Sequence, residues 1–414
     1  MAVTCTLGSL DLSGYLIGEP RVGGAVRQWD EVGGSHADIA QQVNVRTSAL
    51  IEIVLPLKLT AATADLLITL VASVRTEAKK DTNTLTVKPT GATNSSVFNI
   101  VKSPHIVTKW DGAYDVGKLC IMDLVLIAEP WAYAAAATTA INGVNFTLPD
   151  GLSFKAAAGD ATTITGDVDT PLTITLVPNS DADMTDVYMG WYPAADWTAY
   201  LVETDVAGTW VGGTAADAAL DYEHDSASVK NTGTTYSYFP IDTAAYADGS
   251  YLVVVRVAME ESDDTGYLKL STAAGDITDE VAWDAAVDGK WELVPLGVVH
   301  LPVLDTVTGT AATLRVNMKC STAKYIAMDY VAFVPIDHGL CAYAPTTGDA
   351  SALKFMLGKT YVENIVSYSG VSGHGIKAHG NGTLVVLAEH ASPNAATYAG
   401  TITVAYTPRF ELWR

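Results

Sequence analysis

Positive charge is scarce in this 414-residue chain: 24 lysines and arginines face 46 aspartates and glutamates, for a formal net charge of −22. Such a surface repels a phosphate backbone, and no Lys/Arg cluster with interleaved aromatics interrupts it, so nucleic-acid binding is disfavoured. The deficit is local. Residues 133–300 hold 26 acidic and 5 basic side chains, a balance of −21 that leaves −1 for everything else. A solvated, acidic surface that keeps an exposed module soluble is the simpler reading, and attraction of cations is the sharper one. Cysteine is sparse as well. Cys5, Cys120, Cys320 and Cys341 show no CxxC spacing, which argues for reduced, mostly buried thiols over a disulfide framework or a zinc site.

Long apolar runs are missing. Ala132 to Ala140 is far too short for a membrane span and reads as a linker, and MAVTCTLGSL lacks the charged segment and apolar run of a secretory signal. The expectation is a protein made and folded in a cytoplasm that does not enter a bilayer. Phosphate-cradling GxxxxGK[ST] and GxGxxG motifs are absent, and SGVSGHG around Ser372 fails the GxSxG register, so no enzyme is expected. Paired carboxylates that cut glycosides are defined by geometry, which a sequence does not display.

What is present is strand. Leu314, Val316, Met318 and Cys320 alternate with Arg315, Asn317 and Lys319, the period of two of a strand with one face on a core. Tyr251 to Met259 is apolar on both faces apart from Arg256 and rich in valine, which suits a central strand. Further strands are predicted at 7–12, 43–59 up to Pro56, 84–88, 96–101, 118–128, 143–148, 172–177, 187–192, 383–389 and 401–406. One helix is predicted, where Leu66, Leu67, Leu70, Val71 and Val74 recur at spacings of three and four behind a capping Thr63 or Thr60. The fold class is therefore mainly β, with a small one-helix sheet domain followed by β-sandwich or jelly-roll domains, and the length calls for two or three domains.

Two stretches carry a resemblance. Residues 1–132 have a glycine-rich break after the first strand, one helix between strands, then LTVKPTG, VFNIV and a strand ending at Glu129-Pro130. They resemble the N-terminal domain of distal tail proteins of long-tailed bacteriophages. GDVDTPLTITLVPNSDADMTDVYMGWYP, WELVPLGVVHLP, MDYVAFVPIDHG and TITVAYTPRF look like the C-terminal half of phage tail proteins in which a galactose-binding-like jelly roll, akin to a carbohydrate-binding module, interrupts the sandwich. The resemblance implies a ring-forming domain at 1–132, a linker and first sandwich part at 133–195, an inserted jelly roll at 196–338 and a second sandwich part at 339–414. It further implies a structural virion protein of the tail tip or baseplate, synthesised in the host cytoplasm. Its partners would be copies of itself in a hexamer, the tail tube and the hub. Departing from the family, the middle is longer and more acidic than a minimal distal tail protein, which leaves room for glycan attachment. The alternatives are a carbohydrate-binding host-adhesion protein and, further off, a capsid decoration or neck protein.

Candidate sites follow from chemistry. Sugar sites set aromatic rings against a pyranose and ring them with carboxylates and amides. Trp191, Tyr192, Trp197, Tyr200 and Trp210 form the densest aromatic group, with Asp196 and Glu203 among them, and Tyr222, Tyr236, Tyr238 and Trp283 are further candidates for host-surface glycans. The same rings would equally fill a core or a subunit contact. Structural calcium needs six to eight oxygens. Glu260, Glu261, Asp263 and Asp264 offer carboxylates in one hairpin loop, and Asp221, Glu223 and Asp225 share a face if extended. Asp329 in MDYVAFV resembles the acidic residue that completes a calcium site in the last strand of galactose-binding-like modules. His374 and His379 are five apart, which places them on opposite faces of a strand, so an exposed or subunit-contacting loop is the preferred reading there.

Overall fold

A computed structural model describes residues 3–26, 50–80, 82–101, 118–148, 162–178, 184–192, 201–203, 211–212, 229–244, 246–285, 288–289, 291–305, 308–343, 353–356, 359–360, 376–390 and 398–410. The protein is mainly β, in several antiparallel sheets with one α-helix among the described residues. It divides into two units. The first comprises 1–137, 166–168 and 407–414, and the second comprises 138–165 and 169–406.

Among the described residues the first unit is built on a nine-stranded antiparallel sheet. Its main path runs Leu10–Asp11, Thr4–Leu7, Thr82–Lys88, Ser96–Val101, Leu119–Ala128, Leu50–Thr60 and Arg21–Val26. Alternation writes the core: Ile53, Leu55, Leu57 and Leu59 on one central strand meet Cys120, Met122, Leu124 and Leu126 on its neighbour, all buried. The strand predicted to stop at Pro56 continues to Thr60, because Pro56 stands opposite Asp123 inside an unbroken pairing. The predicted helix spans Ala64–Ala78, and the Thr63 hydroxyl accepts from the Leu66 N–H at 3.3 Å, closing its first turn. Its buried stripe is Leu67, Val71, Val74 and Ala78, whereas Leu66, assigned to that stripe from spacing, is 55% exposed beside Ile68 at 67%.

The helix end is tied down by a carboxylate. Glu77 accepts from Ser9 Oγ at 2.8 Å and from Lys80 Nζ at 2.6–2.7 Å, and Asn83 Nδ2 donates to its backbone carbonyl at 2.7 Å. Gly8 turns beneath it at φ +57, where a Cβ would lie 2.7 Å from Glu77 Oε2. The hydrogen bonds from Lys80 and Ser9 hold the Glu77 carboxyl below its ordinary value of 4.5. A depressed folded value means the contribution to stability is complete above 4.5 and is lost as pH falls through the folded value. The melting temperature of the first unit should therefore drop on acidification below 4.5, and Glu77→Gln should melt lower at neutral pH and show a smaller acid step. Equal acid steps in the two proteins would refute this.

The sheet is completed from far along the chain. Arg409–Phe410 pairs with Ala132–Ala134, which pairs with Ser96–Val101. The Arg409 carbonyl accepts from the Asp167 N–H at 2.9 Å, and Gly166, at φ +130, passes so near that a Cβ would sit 2.6 Å from that oxygen. The Arg409 guanidinium lies 5.3 Å from the Tyr133 ring, whose hydroxyl donates to Glu129 at 2.5 Å. Burial first, then this carboxylate, pushes the Tyr133 hydroxyl up to about 12.

Among the described residues the second unit holds four sheets. One is built on Thr170–Pro178, Tyr398–Tyr406 and Thr138–Leu148, and another on Thr162–Ile164, Gly380–His390, Met184–Tyr192 and Leu340–Tyr343. Both draw their strands from 138–192 and 340–406. The other two take theirs wholly from 201–335. A five-stranded sheet centres on Tyr325–Pro335, Gly249–Met259 and Glu292–Leu301, and a four-stranded sheet runs Ser237–Asp242, Thr313–Cys320, Thr265–Ser271, Val281–Asp284. Tyr251, Val253, Val255 and Val257 pack with Leu268, Leu270, Leu314 and Val316 of the four-stranded sheet. From the opposite face Leu252 and Val254 pack with Tyr188 and Leu387. Covered on both sides, this strand reads as a continuous apolar run.

Candidate functional site

Of the predicted aromatic group, the two members among the described residues, Trp191 and Tyr192, are buried. Trp191 is fully buried, and Gly382 crosses it so closely that a Cβ there would stand 2.4 Å from its ring. Tyr192, 9% exposed, belongs to the core that contains Tyr251, Phe333 and Val385. Neither ring offers a face to a sugar, which corrects their assignment. Trp197, Tyr200, Trp210, Tyr222 and Asp196 lie outside the described residues, as do Asp221, Glu223, Asp225, Ser372 and His374.

Among the described residues the calcium candidates do not converge. Asp329 is 6% exposed and its Oδ2 accepts from Arg256 Nη1 at 2.6 Å, while the Arg256 guanidinium lies 4.9 Å from the Trp291 ring centroid. The acid that resembled a calcium ligand answers a buried guanidinium. Glu260 and Glu261 both face Lys324, Asp264 accepts from Thr322 Oγ1 at 2.7 Å, and Asp263 is exposed. Among the described residues no three His, Cys, Asp or Glu side chains are placed to hold a metal ion. His379 Nδ1 lies 2.5 Å from Asp169 Oδ1, and His338 Nδ1 lies 3.7 Å from Asp169 Oδ2, so this carboxylate stands between two imidazoles from separate loops. Cys5, Cys120 and Cys320 are free, buried thiols, and burial pushes the Cys5 thiol up to about 12, which makes it inert.

The described side chains that do gather aromatic rings and charge lie on one face of the four-stranded sheet. Period two sends Leu314, Val316 and Met318 inward, so Arg315, Asn317 and Lys319 take the other face. The neighbouring strand contributes Tyr267 and Lys269, opposite Lys319 and Asn317, and the strand on the other side contributes Tyr238, also opposite Asn317. Tyr236 just precedes it. Lys319 Nζ lies between two rings, 4.5 Å from the centroid of Tyr236 and 4.6 Å from that of Tyr267. Lys269 Nζ is 4.7 Å from Tyr236, and the Arg315 guanidinium is 4.7 Å from Tyr238. Glu280 receives the Tyr236 hydroxyl and, at 3.1 Å, Lys319, and Asp276 receives Lys269 at 2.8 Å. The Tyr236 and Lys319 hydrogen bonds hold the Glu280 carboxyl below its ordinary range, and burial with Glu280 pushes the Tyr236 hydroxyl well above its own. Of these residues, only Tyr236 and Tyr238 stood out in the sequence. The others are ordinary outward positions of alternating strands, and only the pairing register assembles them.

No family model and no curated protein matches the sequence. Among solved structures the chain is similar to the insecticidal crystal protein Cry2Aa, at 11% identity over 33% of this chain and 21% of that one, with a TM-score of 0.24. It is similar to a β-(1,4)-mannanase of Podospora anserina at 19% identity over 36% and 28% of the two chains, TM-score 0.24. It is also similar to the Dit protein of phage SPP1, described as a hub adsorption apparatus of phages infecting Gram-positive hosts, at 11% identity over 80% and 99% of the two chains, TM-score 0.27. The chain thus spans about a quarter of the first two structures. Likenesses this distant bear on neither activity nor partners. No helix among the described residues is long and apolar enough to cross a membrane.

Proposed function

We propose that the chain is a structural protein of a phage tail tip, in which the first unit closes a ring of identical subunits and the sandwich and jelly roll are displayed outward. The observation that carries this reading is the first unit's architecture: one helix on a β-sheet whose outer strand, Arg21–Val26, has a single partner among the described residues. An open strand edge invites pairing with another chain, and a ring closed by two different patches of each subunit covers every such edge. The sequence resemblance of residues 1–132 to distal tail proteins points the same way. The role is assembly and not catalysis, and the partners are sister copies, the tail tube and the hub.

Negative-stain images of the purified protein or of labelled particles should show a ring at the tail end, with six copies. Sedimentation that finds only monomer at high concentration, together with particles that carry no ring of this protein, would overturn the reading.

A further inference from the structure

We propose that the outward face of the four-stranded sheet is a binding face for an anionic saccharide, on which Tyr236, Tyr238 and Tyr267 receive sugar rings and Arg315 receives the carboxylate or phosphate. This goes beyond the tail-tip reading and holds whether or not the subunits form a ring.

Charge placement is the first argument. Residues 196–338 contain 22 acidic and only 7 basic side chains. Three of those seven, Lys269, Arg315 and Lys319, lie on this one face, and a fourth, Arg256, is buried. In a module whose net charge repels anions, a locally basic face favours where an anion can land. Lys269 and Lys319 are already answered by Asp276 and Glu280. Arg315 differs: its guanidinium stacks on Tyr238 and meets no carboxylate among the described residues. A guanidinium stacked on a ring keeps its planar fork of donors at the rim, the geometry that takes a carboxylate or phosphate through two parallel hydrogen bonds.

Preorganisation is the second. Lysine side chains 19% and 24% exposed lie along the tyrosine rings and hold them in place, so little side-chain freedom remains to be lost on binding. Asn317 is fixed in turn, its amide donating to Ser271 Oγ at 2.9 Å and to the Lys269 carbonyl at 3.2 Å. Lys319 Nζ lies 4.5 Å from the Tyr236 centroid and 4.6 Å from that of Tyr267, so the two rings stand within about 9 Å of each other around one ammonium group. Rigid rings, an anion contact and two carboxylates that accept from hydroxyls form the set that a charged sugar chain requires.

The test titrates the full-length protein with tetragalacturonate, with an oligomeric glycerol phosphate and with neutral maltotetraose by calorimetry at low and high salt. Salt-sensitive binding of one anionic probe is expected, and which one binds distinguishes a uronate from a phosphate ligand. Arg315→Gln and Tyr238→Ala should each weaken it by about tenfold or more without a change in melting temperature. Lys230→Gln, which removes equal charge from the five-stranded sheet, should leave it unchanged. Absence of binding by both anionic probes, or binding untouched by Arg315→Gln, would overturn the proposal. So would concentration-dependent self-association abolished by Arg315→Gln without saccharide binding, since the face would then belong to a second copy.

Discussion

Replacing Asp329 with alanine is expected to destabilise the second unit by about 3–5 kcal/mol, the cost of breaking an ion pair out of contact with water. The magnitude follows from burial: the Arg256 side chain is 1% exposed and that of Asp329 7%, and the carboxylate stands 2.6 Å from the guanidinium. A guanidinium cannot shed its proton to escape, because its pKa lies far above any working pH. The charge stays, and the carboxylate at 2.6 Å that answers it goes. Urea denaturation of the full chain should register the loss, and Arg256→Ala should cost a similar amount from the other side. A double replacement, Arg256→Met with Asp329→Leu, should recover most of it, since an apolar pair of like volume is often as stable as a buried ion pair. Single variants that cost less than about 1 kcal/mol would show that water reaches the pair.

The second large effect lies where Gly382 crosses Trp191. Gly382→Ala sets a methyl group 2.4 Å from indole carbons that have no room to retreat, and overpacking of this kind costs about 1–3 kcal/mol. Trp191→Ala, which empties a fully buried site, should cost about 3–5 kcal/mol. The double variant is the informative one. Once the indole is gone the added methyl group has space, so the two costs should fall short of additivity by about 0.5–3 kcal/mol. Strict additivity, measured by urea titration of the four proteins, would mean that the glycine and the ring are not in contact.

How much of this was legible in the sequence depends on the range of the interaction. Leu314 to Cys320 and Leu119 to Ala128 announced themselves through period two, because a strand with one buried face must alternate. Thr63 and the Leu67, Val71, Val74 stripe were equally local. Leu66 failed because a helical repeat fixes an angular stripe but not its width, and the sheet beneath covers only the Leu67 side. Trp191 and Tyr192 failed for a longer-range reason. Aromatic density says where rings are abundant, not which face is covered, and the residue that seals Trp191 is a glycine far along the chain. Asp329 was singled out by its neighbours in sequence, yet its partner sits 73 positions earlier on the adjacent strand. The tyrosine and cation face is split over three strands, so pattern alone could supply its members but not their meeting.

Closure of the first sheet by Arg409–Phe410 has a consequence for synthesis. A ribosome that has released residues 1–137 has made most of that sheet, but the strand that covers Ala132–Ala134 is translated only after the whole second unit. The nascent unit therefore lacks that strand until Arg409 and Phe410 emerge, and a stop codon ahead of Arg409 would remove it.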